Sequence, residues 1–271
     1  MDVKLHLQSI SVKGWDEQFG THFPFTLPIF RSLQEIKLES PVTFLVGENG
    51  SGKSTFLEAL ACAIGSTTVG AESVKTDKTL AEARKLAKHF RLSWGKRTHR
   101  GFFLRAEDFF GYVKQLAKTK QDLESDLAAV AEEYQGRSKQ AINLARSPYL
   151  RELHGLQEKY GSGLDSCSHG ESFMTLFQSR FVPHGLYLLD EPEAPLSPVR
   201  QLAFISELKR MVEEKSQFII ATHSPIIMAF PGATILSFDE GEVKRVAYEE
   251  LEHVTLMRSF LNNPEGFLRR L

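Results

Sequence analysis

The chain has 271 residues, of which 42% are hydrophobic and 25% charged. At roughly 100–200 residues per domain that is one large unit or two modest ones with material for a core, and a disordered, collagen-like or fibrous chain is excluded. Thirty-three basic against thirty-four acidic side chains leave a net charge of -1, which in total favours neither a polyanion nor an anionic membrane surface.

The longest apolar runs, such as Ile226-Ile227-Met228-Ala229-Phe230, fall far short of the roughly 20 residues that cross a bilayer, so no membrane insertion is expected. Near the N-terminus Val3, Leu5 and Leu7 alternate with Lys4, His6 and Gln8, the pattern of a strand with one wet face and not of a signal peptide. Two cysteines, Cys62 and Cys167, are too few for a disulfide framework or a Cys-rich zinc site and fit a reducing compartment. A cytoplasmic location is the expectation.

Four runs, Val42-Thr43-Phe44-Leu45-Val46, Phe102-Phe103-Leu104, Leu186-Tyr187-Leu188-Leu189 and Phe218-Ile219-Ile220-Ala221, are apolar on both faces. Strands of that kind belong to a parallel sheet covered by helices. Helical patterns occupy residues 53–64, 171–181 and 198–214, the last opening with Ser197 as N-cap and Pro198 at the first helical position. The fold class is therefore α/β with a mostly parallel central sheet. Residues 235–248 read as a strand pair turning at Gly241, an antiparallel addition, and a helix to residue 261 and a short turn from Asn263-Pro264 follow.

Residues 71–163 are polar and helix-forming, and they read as a helical lobe inserted into a single domain spanning 1–271. Within it Val113, Leu116, Leu123, Leu127, Val130 and Tyr134, with Lys120 in the same register, recur at spacings of three and four, which predicts one helix of about 22 residues, ~33 Å long, packing its stripe on its own domain. Arg84, Lys85, Lys88, Arg91, Lys96, Arg97, Arg100 and Arg105 fall together with no intervening Asp or Glu and with Phe90, Trp94, Phe102 and Phe103 among them. Such a stretch suits a nucleic-acid backbone, or else a solvated face. The neutral total is a cancellation of this segment against an acidic remainder.

The strongest motif is Gly47-Glu48-Asn49-Gly50-Ser51-Gly52-Lys53-Ser54-Thr55, a G-x-x-x-x-G-K-[ST] loop between an apolar strand and a helix. Gly47, Gly50 and Gly52 let backbone N–H groups, with those of Asn49 and Ser51, close on phosphates, and the helix adds its positive end. Lys53 neutralises the β- and γ-phosphates, Ser54 offers its hydroxyl to Mg²⁺, and Thr55 is a lesser phosphate contact. Leu188-Leu189-Asp190-Glu191 ends an apolar strand in two carboxylates, with Asp190 a metal ligand through water and Glu191 the general base for the attacking water. In Ala221-Thr222-His223-Ser224-Pro225, His223 leaves the same sheet edge and is placed to sense a γ-phosphate. Ser168 and Glu171, three apart before an apolar helix, form a capping box, and that helix start is also an anion site.

In this order the phosphate loop, Ser168-His169-Gly170-Glu171, Leu188-Leu189-Asp190-Glu191-Pro192 and Thr222-His223-Ser224-Pro225 resemble the ATP-binding-cassette (ABC) superfamily, and within it the small free-standing bacterial ATPases related to the overcoming-lysogenization-defect and chromosome-maintenance ATPases. The resemblance implies a P-loop NTPase fold, ATP and Mg²⁺ as cofactors, and ATP hydrolysis. It makes Ser168, Gly170 and Glu171 the signature that meets a nucleotide, residues 193–197 the D-loop, and His223 the switch histidine. Glu107 falls at the Q-loop position as a metal or water contact. His169 replaces the first glycine of the usual signature pair, and Ser197 stands where transporter cassettes have aspartate. Trp15, Phe23, Phe25 and Phe30 are candidates for stacking on adenine.

By the same resemblance two copies close head to tail around two ATP molecules and drive an unknown protein client. Alternatives are an ATP-switched nucleic-acid binder in repair or phage defence, a transport cassette, and a P-loop kinase.

Overall fold

The computed structural model describes residues 5–13, 22–69, 73–160 and 169–269. Strand β1 (Leu7–Val12) precedes helix α1 (Pro28–Ser32), strands β2 (Glu35–Lys37) and β3 (Val42–Val46), and helix α2 (Lys53–Ile64). Next come α3 (Ala81–Ala87), β4 (Phe90–Trp94), β5 (Phe103–Arg105) and two long helices, α4 (Ala106–Glu133) and α5 (Lys139–Tyr160). The rest runs α6 (His169–Arg180), β6 (Leu186–Asp190), α7 (Pro198–Glu213), β7 (Gln217–Ala221), α8 (Pro225–Met228), β8 (Thr234–Ser237), β9 (Lys244–Arg245), α9 (Glu252–Asn262) and α10 (Pro264–Leu268).

The apolar runs form one sheet because each needs cover on both faces. The central sheet has the order β5-β6-β7-β3-β8-β9, parallel throughout except for β8 with β9. Every residue of β3, β6 and β7 is buried, and successive side chains serve opposite faces. Leu45, Leu188 and Ile219 pack with Phe56, Leu57 and Leu60 of α2. Phe44, Tyr187, Leu189 and Ile220 pack with Phe173 and Phe177 of α6 and Phe204 and Leu208 of α7.

A smaller antiparallel sheet, β2-β1-β4, lies on the α2 side. Gln217, at the start of β7, joins the two sheets: its amide nitrogen donates to Leu7 O and its carbonyl accepts from Leu7 N, both at 2.9 Å and buried. The side chain thus mimics a strand partner and leaves no buried amide unpaired.

Two features depart from the sequence-based expectation. Residues 71–163 hold, besides the strand expected at 102–104, which is β5 at the edge of the central sheet, an unexpected strand, β4, that completes the small sheet. The projecting part is a pair of helices, α4 and α5, joined by a five-residue turn, where the periodicity predicted one helix. α4 lies along α5, a helix that contains Pro148, while Phe109 and Val113 near the start of α4 pack on the core beneath the sheet. In addition Ser197 precedes α7 at the N-cap but makes no side-chain capping bond.

A buried guanidinium ties the pair to the sheet core. Arg105, 6% exposed, reaches Asp108 on α4 at 2.7 Å, Asp77 at 3.0 Å, the Thr79 hydroxyl at 3.1 Å and Glu58 on α2 at 3.4 Å. A buried cation is tolerable only when its charge and donors are matched, and here they are.

Gly101 leads into β5 with φ +113°, and a Cβ there would lie 1.9 Å from Leu186 O of the neighbouring strand. Backbone cannot yield as a side chain does, so Gly101→Ala is expected to cost on the order of 3 kcal/mol in urea unfolding. A loss of only a few tenths would contradict the close approach.

Candidate active site

The register of the parallel strands fixes the site. Arg105 pairs with Asp190, Asp190 with Ala221, and Ala221 with Leu45, so β5, β6, β7 and β3 end level with one another. The loops that leave these ends carry the motifs. Convergence at the carboxyl edge is the usual consequence of a parallel sheet.

The phosphate loop is shaped by glycines. Gly47 (φ +140°) and Gly52 (φ +103°) lie where L side chains rarely go, and a Cβ would meet Asp239 Oδ1 at 2.8 Å in the first case and Ile29 at 2.9 Å in the second. Asn49 and Gly50 form the exposed tip. Lys53 is buried, and its Nζ donates to Gly47 O at 2.7 Å and Glu48 O at 2.8 Å. Burial lowers its pKa, while Asp239 and Asp190 oppose the shift. Asp239 also clamps the loop from outside, accepting from Glu48 N at 2.8 Å.

Ser54 Oγ donates to Asp190 Oδ1 at 3.2 Å. Asp190 is 8% exposed, and burial pushes its carboxyl up to about 7, with Glu191, Glu58 and Glu193 adding and the Ser54 hydroxyl opposing. A hydroxyl and a buried carboxylate are hard oxygen donors suited to Mg²⁺, which takes one or two protein ligands and completes its shell with phosphates and water. No cluster of three or more His, Cys, Asp or Glu that could hold a metal occurs among the described residues.

Glu191 is exposed, sits at φ +49° and is held there by its N–H to Ala221 O at 2.9 Å. Positive φ at a non-glycine costs of order 1 kcal/mol or more, a strain found where function demands a side chain's direction. The neighbouring Glu193 accepts from His223 N at 2.6 Å, so the loop after β6 sets the position of the histidine after β7. His223 Nε2 is buried without a partner, and burial together with Lys53 lowers its pKa. Ser224 caps α8 through Ile227 N and donates to Gln201 of α7 at 2.5 Å.

The remaining predicted residues are placed as follows. Thr55 lies in the first turn of α2. Gly170 is buried under Arg200, whose Cδ a Cβ would meet at 2.6 Å, and Glu171 pairs with Arg200 at 2.6 Å. Ser168 lies outside the described residues, and with it the capping box. The Glu107 carboxylate is 73% exposed and lies 3.2 Å from Arg105, so in this arrangement it faces that cation and not Ser54 and Asp190. Phe25 and Phe30 are core residues and cannot stack on a base, Phe23 is 51% exposed, and Trp15 is outside the described residues.

The RecF/RecN/SMC N-terminal domain model matches residues 25–237, most of the chain and all of the motif-bearing loops except that holding Asp239. The chain belongs to this family. It is accordingly an SMC-like member of the ABC superfamily, a P-loop NTPase in fold. An uncharacterized ABC transporter ATP-binding protein of Haemophilus influenzae is 25% identical over 241 residues, covering 87% of this chain and 80% of that protein. Among solved structures, the Smc head domain of Pyrococcus furiosus bound to the C-terminal domain of ScpA aligns over 96% of this chain and 100% of its own at 13% identity and a TM-score of 0.44. A nucleotide-free cassette from an ABC transporter aligns over 96% and 98% at 15% identity and a TM-score of 0.47.

Within this RecF/RecN/SMC-type site, sequence reading missed three contributors. Asp239 follows β8, whose pairing with β3 brings it to the phosphate loop; only that pairing reveals it. Glu193 was visible as D-loop but not as the acceptor for His223, and Arg105 was counted among solvent-facing cations although four carboxylates surround it.

Because the folded-state value of Asp190 lies above that of a free carboxyl, the folded chain holds the proton more tightly, and this residue's contribution to stability falls as pH rises from about 4 through about 7. In EDTA, Asp190→Asn is expected to melt above the wild type at pH 8, with the gap closing towards pH 5. An equal or lower melting temperature at pH 8 would contradict the buried charge.

Proposed function

We propose that this chain binds Mg-ATP at the carboxyl edge of β3, β6 and β7 and hydrolyses it, and that the bound nucleotide joins two copies head to tail. The observation that carries the reading is the meeting of Lys53, Ser54, Asp190, Glu191 and His223 at one sheet edge. In it Lys53 turns its ammonium from the Gly47 and Glu48 carbonyls to the β- and γ-phosphates, and the loop N–H groups receive the remaining phosphate oxygens. Ser54 and Asp190 hold Mg²⁺, which supplies neutralising charge at the phosphates. Glu191 orients the attacking water and takes its proton, and His223, steadied by Glu193, contacts the terminal phosphate. Ser168 and Gly170 of a second copy cover the same phosphate, with Glu107 a candidate contact to metal or water once Arg105 releases it.

No helix among the described residues is long and apolar enough to cross a membrane. We place the protein in the cytoplasm, with a protein client as its partner. The relative named an ABC transporter ATP-binding protein keeps a cassette role as a competing reading, and co-purification with a membrane protein would favour it.

A second reading, an ATP-switched nucleic-acid binder, is favoured by one observation. Lys85, Lys88, Arg91, Lys96, Arg97 and Arg100 are exposed along α3, β4 and the loop beyond, and β4 is an edge of the small sheet. The patch is smaller than its sequence suggested, because Arg84 donates to the Val74 and Asp77 carbonyls and Arg105 is buried.

Glu191→Gln is expected to leave Mg-ATP affinity within about twofold, to slow hydrolysis by 10²–10⁴ (order of magnitude) and to accumulate an ATP-dependent dimer in light scattering. A monomer at saturating Mg-ATP would overturn the head-to-tail arrangement. Reversing Lys96 and Arg97 to Glu is expected to abolish any salt-dependent DNA or RNA binding; binding unchanged by the reversal would remove this patch as the contact.

A further inference from the structure

The first turns of α6 and α7 meet in one place. Farther along, the two helices share the core beneath the sheet, where the Phe177 and Phe204 rings lie 5.0 Å apart. At their starts the approach is closer: a Cβ on Gly170 would lie 2.6 Å from Arg200 Cδ and 3.0 Å from Pro195 O. Gly170 is not one of the glycines with positive φ, so space and not backbone conformation excludes a side chain there. The Arg200 side chain passes Gly170 and donates to Glu171 Oε1 at 2.6 Å.

The other end of this contact is anchored in the site. Pro195 belongs to the loop after β6, which turns tightly through bonds from Ala194 N to Glu191 O and from Leu196 N to Glu193 O, with Leu196 buried in the core. Glu193 of the same loop accepts from His223 N. The Arg200 and Glu171 side chains are 30% and 47% exposed. An ion pair in contact with water adds little to folding stability, whereas a planar guanidinium held at several points sets a geometry. The aromatic core fixes how α6 packs along its length; Gly170 and Arg200 fix where its first turn stands beside the loop that carries Glu191 and Glu193.

Resting on the head-to-tail reading above, we propose that Arg200 is the positioning residue of the signature: it locks the first turn of α6 against the loop after β6, so that Ser168 and the N–H end of α6 are presented to the nucleotide of a second copy. In this arrangement Glu171 serves its own chain, as the acceptor that holds Arg200, and Arg200 acts through α6 without touching a phosphate.

The test uses the full chain carrying Glu191→Gln, with Mg-ATP. Light scattering over a range of protein concentrations reads dimerisation, and a fluorescent ATP analogue in dilute protein reads nucleotide binding by the single copy. Arg200→Ala removes the pair, Arg200→Glu sets two carboxylates against each other, and Glu171→Arg with Arg200→Glu restores the pair with its charges exchanged. Both single variants are expected to weaken dimerisation by about tenfold with single-copy affinity within about twofold of the parent, and the exchanged pair to recover to within about threefold. Dimerisation unchanged in the single variants would overturn the role of Arg200, as would an exchanged pair that fails to recover, the mark of an Arg200 that contacts the second copy directly. Nucleotide binding lost in step with dimerisation in both single variants would reduce Arg200 to a structural residue and overturn its positioning role. Each of these results leaves the head-to-tail arrangement standing. A Glu191→Gln parent that stays monomeric at saturating Mg-ATP would overturn both.

Discussion

One constraint organises this molecule: the parallel register that brings Ser54 and Asp190 within 3.2 Å of each other across the ends of β3, β7 and β6. Neither Asp190 nor the nearby Lys53 is stable there for its own sake. Asp190 is a buried carboxylate with a single hydroxyl for company, and Lys53 is a buried amine that fills its donors with loop carbonyls. The fold bears these costs because two continuous apolar cores, one on each face of the sheet, hold the strand ends rigidly in place.

The central sheet was legible because its strands are apolar on both faces, a pattern without a competing interpretation once helices were seen between them. The phosphate loop, Asp190-Glu191 and His223 were legible because each follows such a strand, so the position of a strand end is also the position of a chemical group. What was not legible depends on pairing between distant segments. Asp239 becomes part of the site only when β8 lies beside β3, and Glu193 only when the loop after β6 folds over the N–H of His223.

The middle of the chain shows the opposite error. A polar, helix-forming composition concealed one strand, β4, a short edge of the small sheet whose exposed and half-buried residues alternate and so imitate a loop. Counting charges along the chain similarly overstated the cationic face. Arg105 is an internal tie between α2, α4 and the segment before α3, so the residue that ends β5 opposite Asp190 also fixes where the helical pair begins.

The central claim is that the oxygen donors of Ser54 and Asp190 hold a divalent cation together with nucleotide phosphates. Electron paramagnetic resonance of Mn²⁺ in place of Mg²⁺, with a non-hydrolysable ATP analogue, tests it most directly. The account predicts one tightly bound Mn²⁺ per chain, appearing only when protein and nucleotide are both present and showing ³¹P coupling, with Asp190→Ala removing the protein-dependent signal. A Mn²⁺–nucleotide spectrum that the protein leaves unchanged would contradict it.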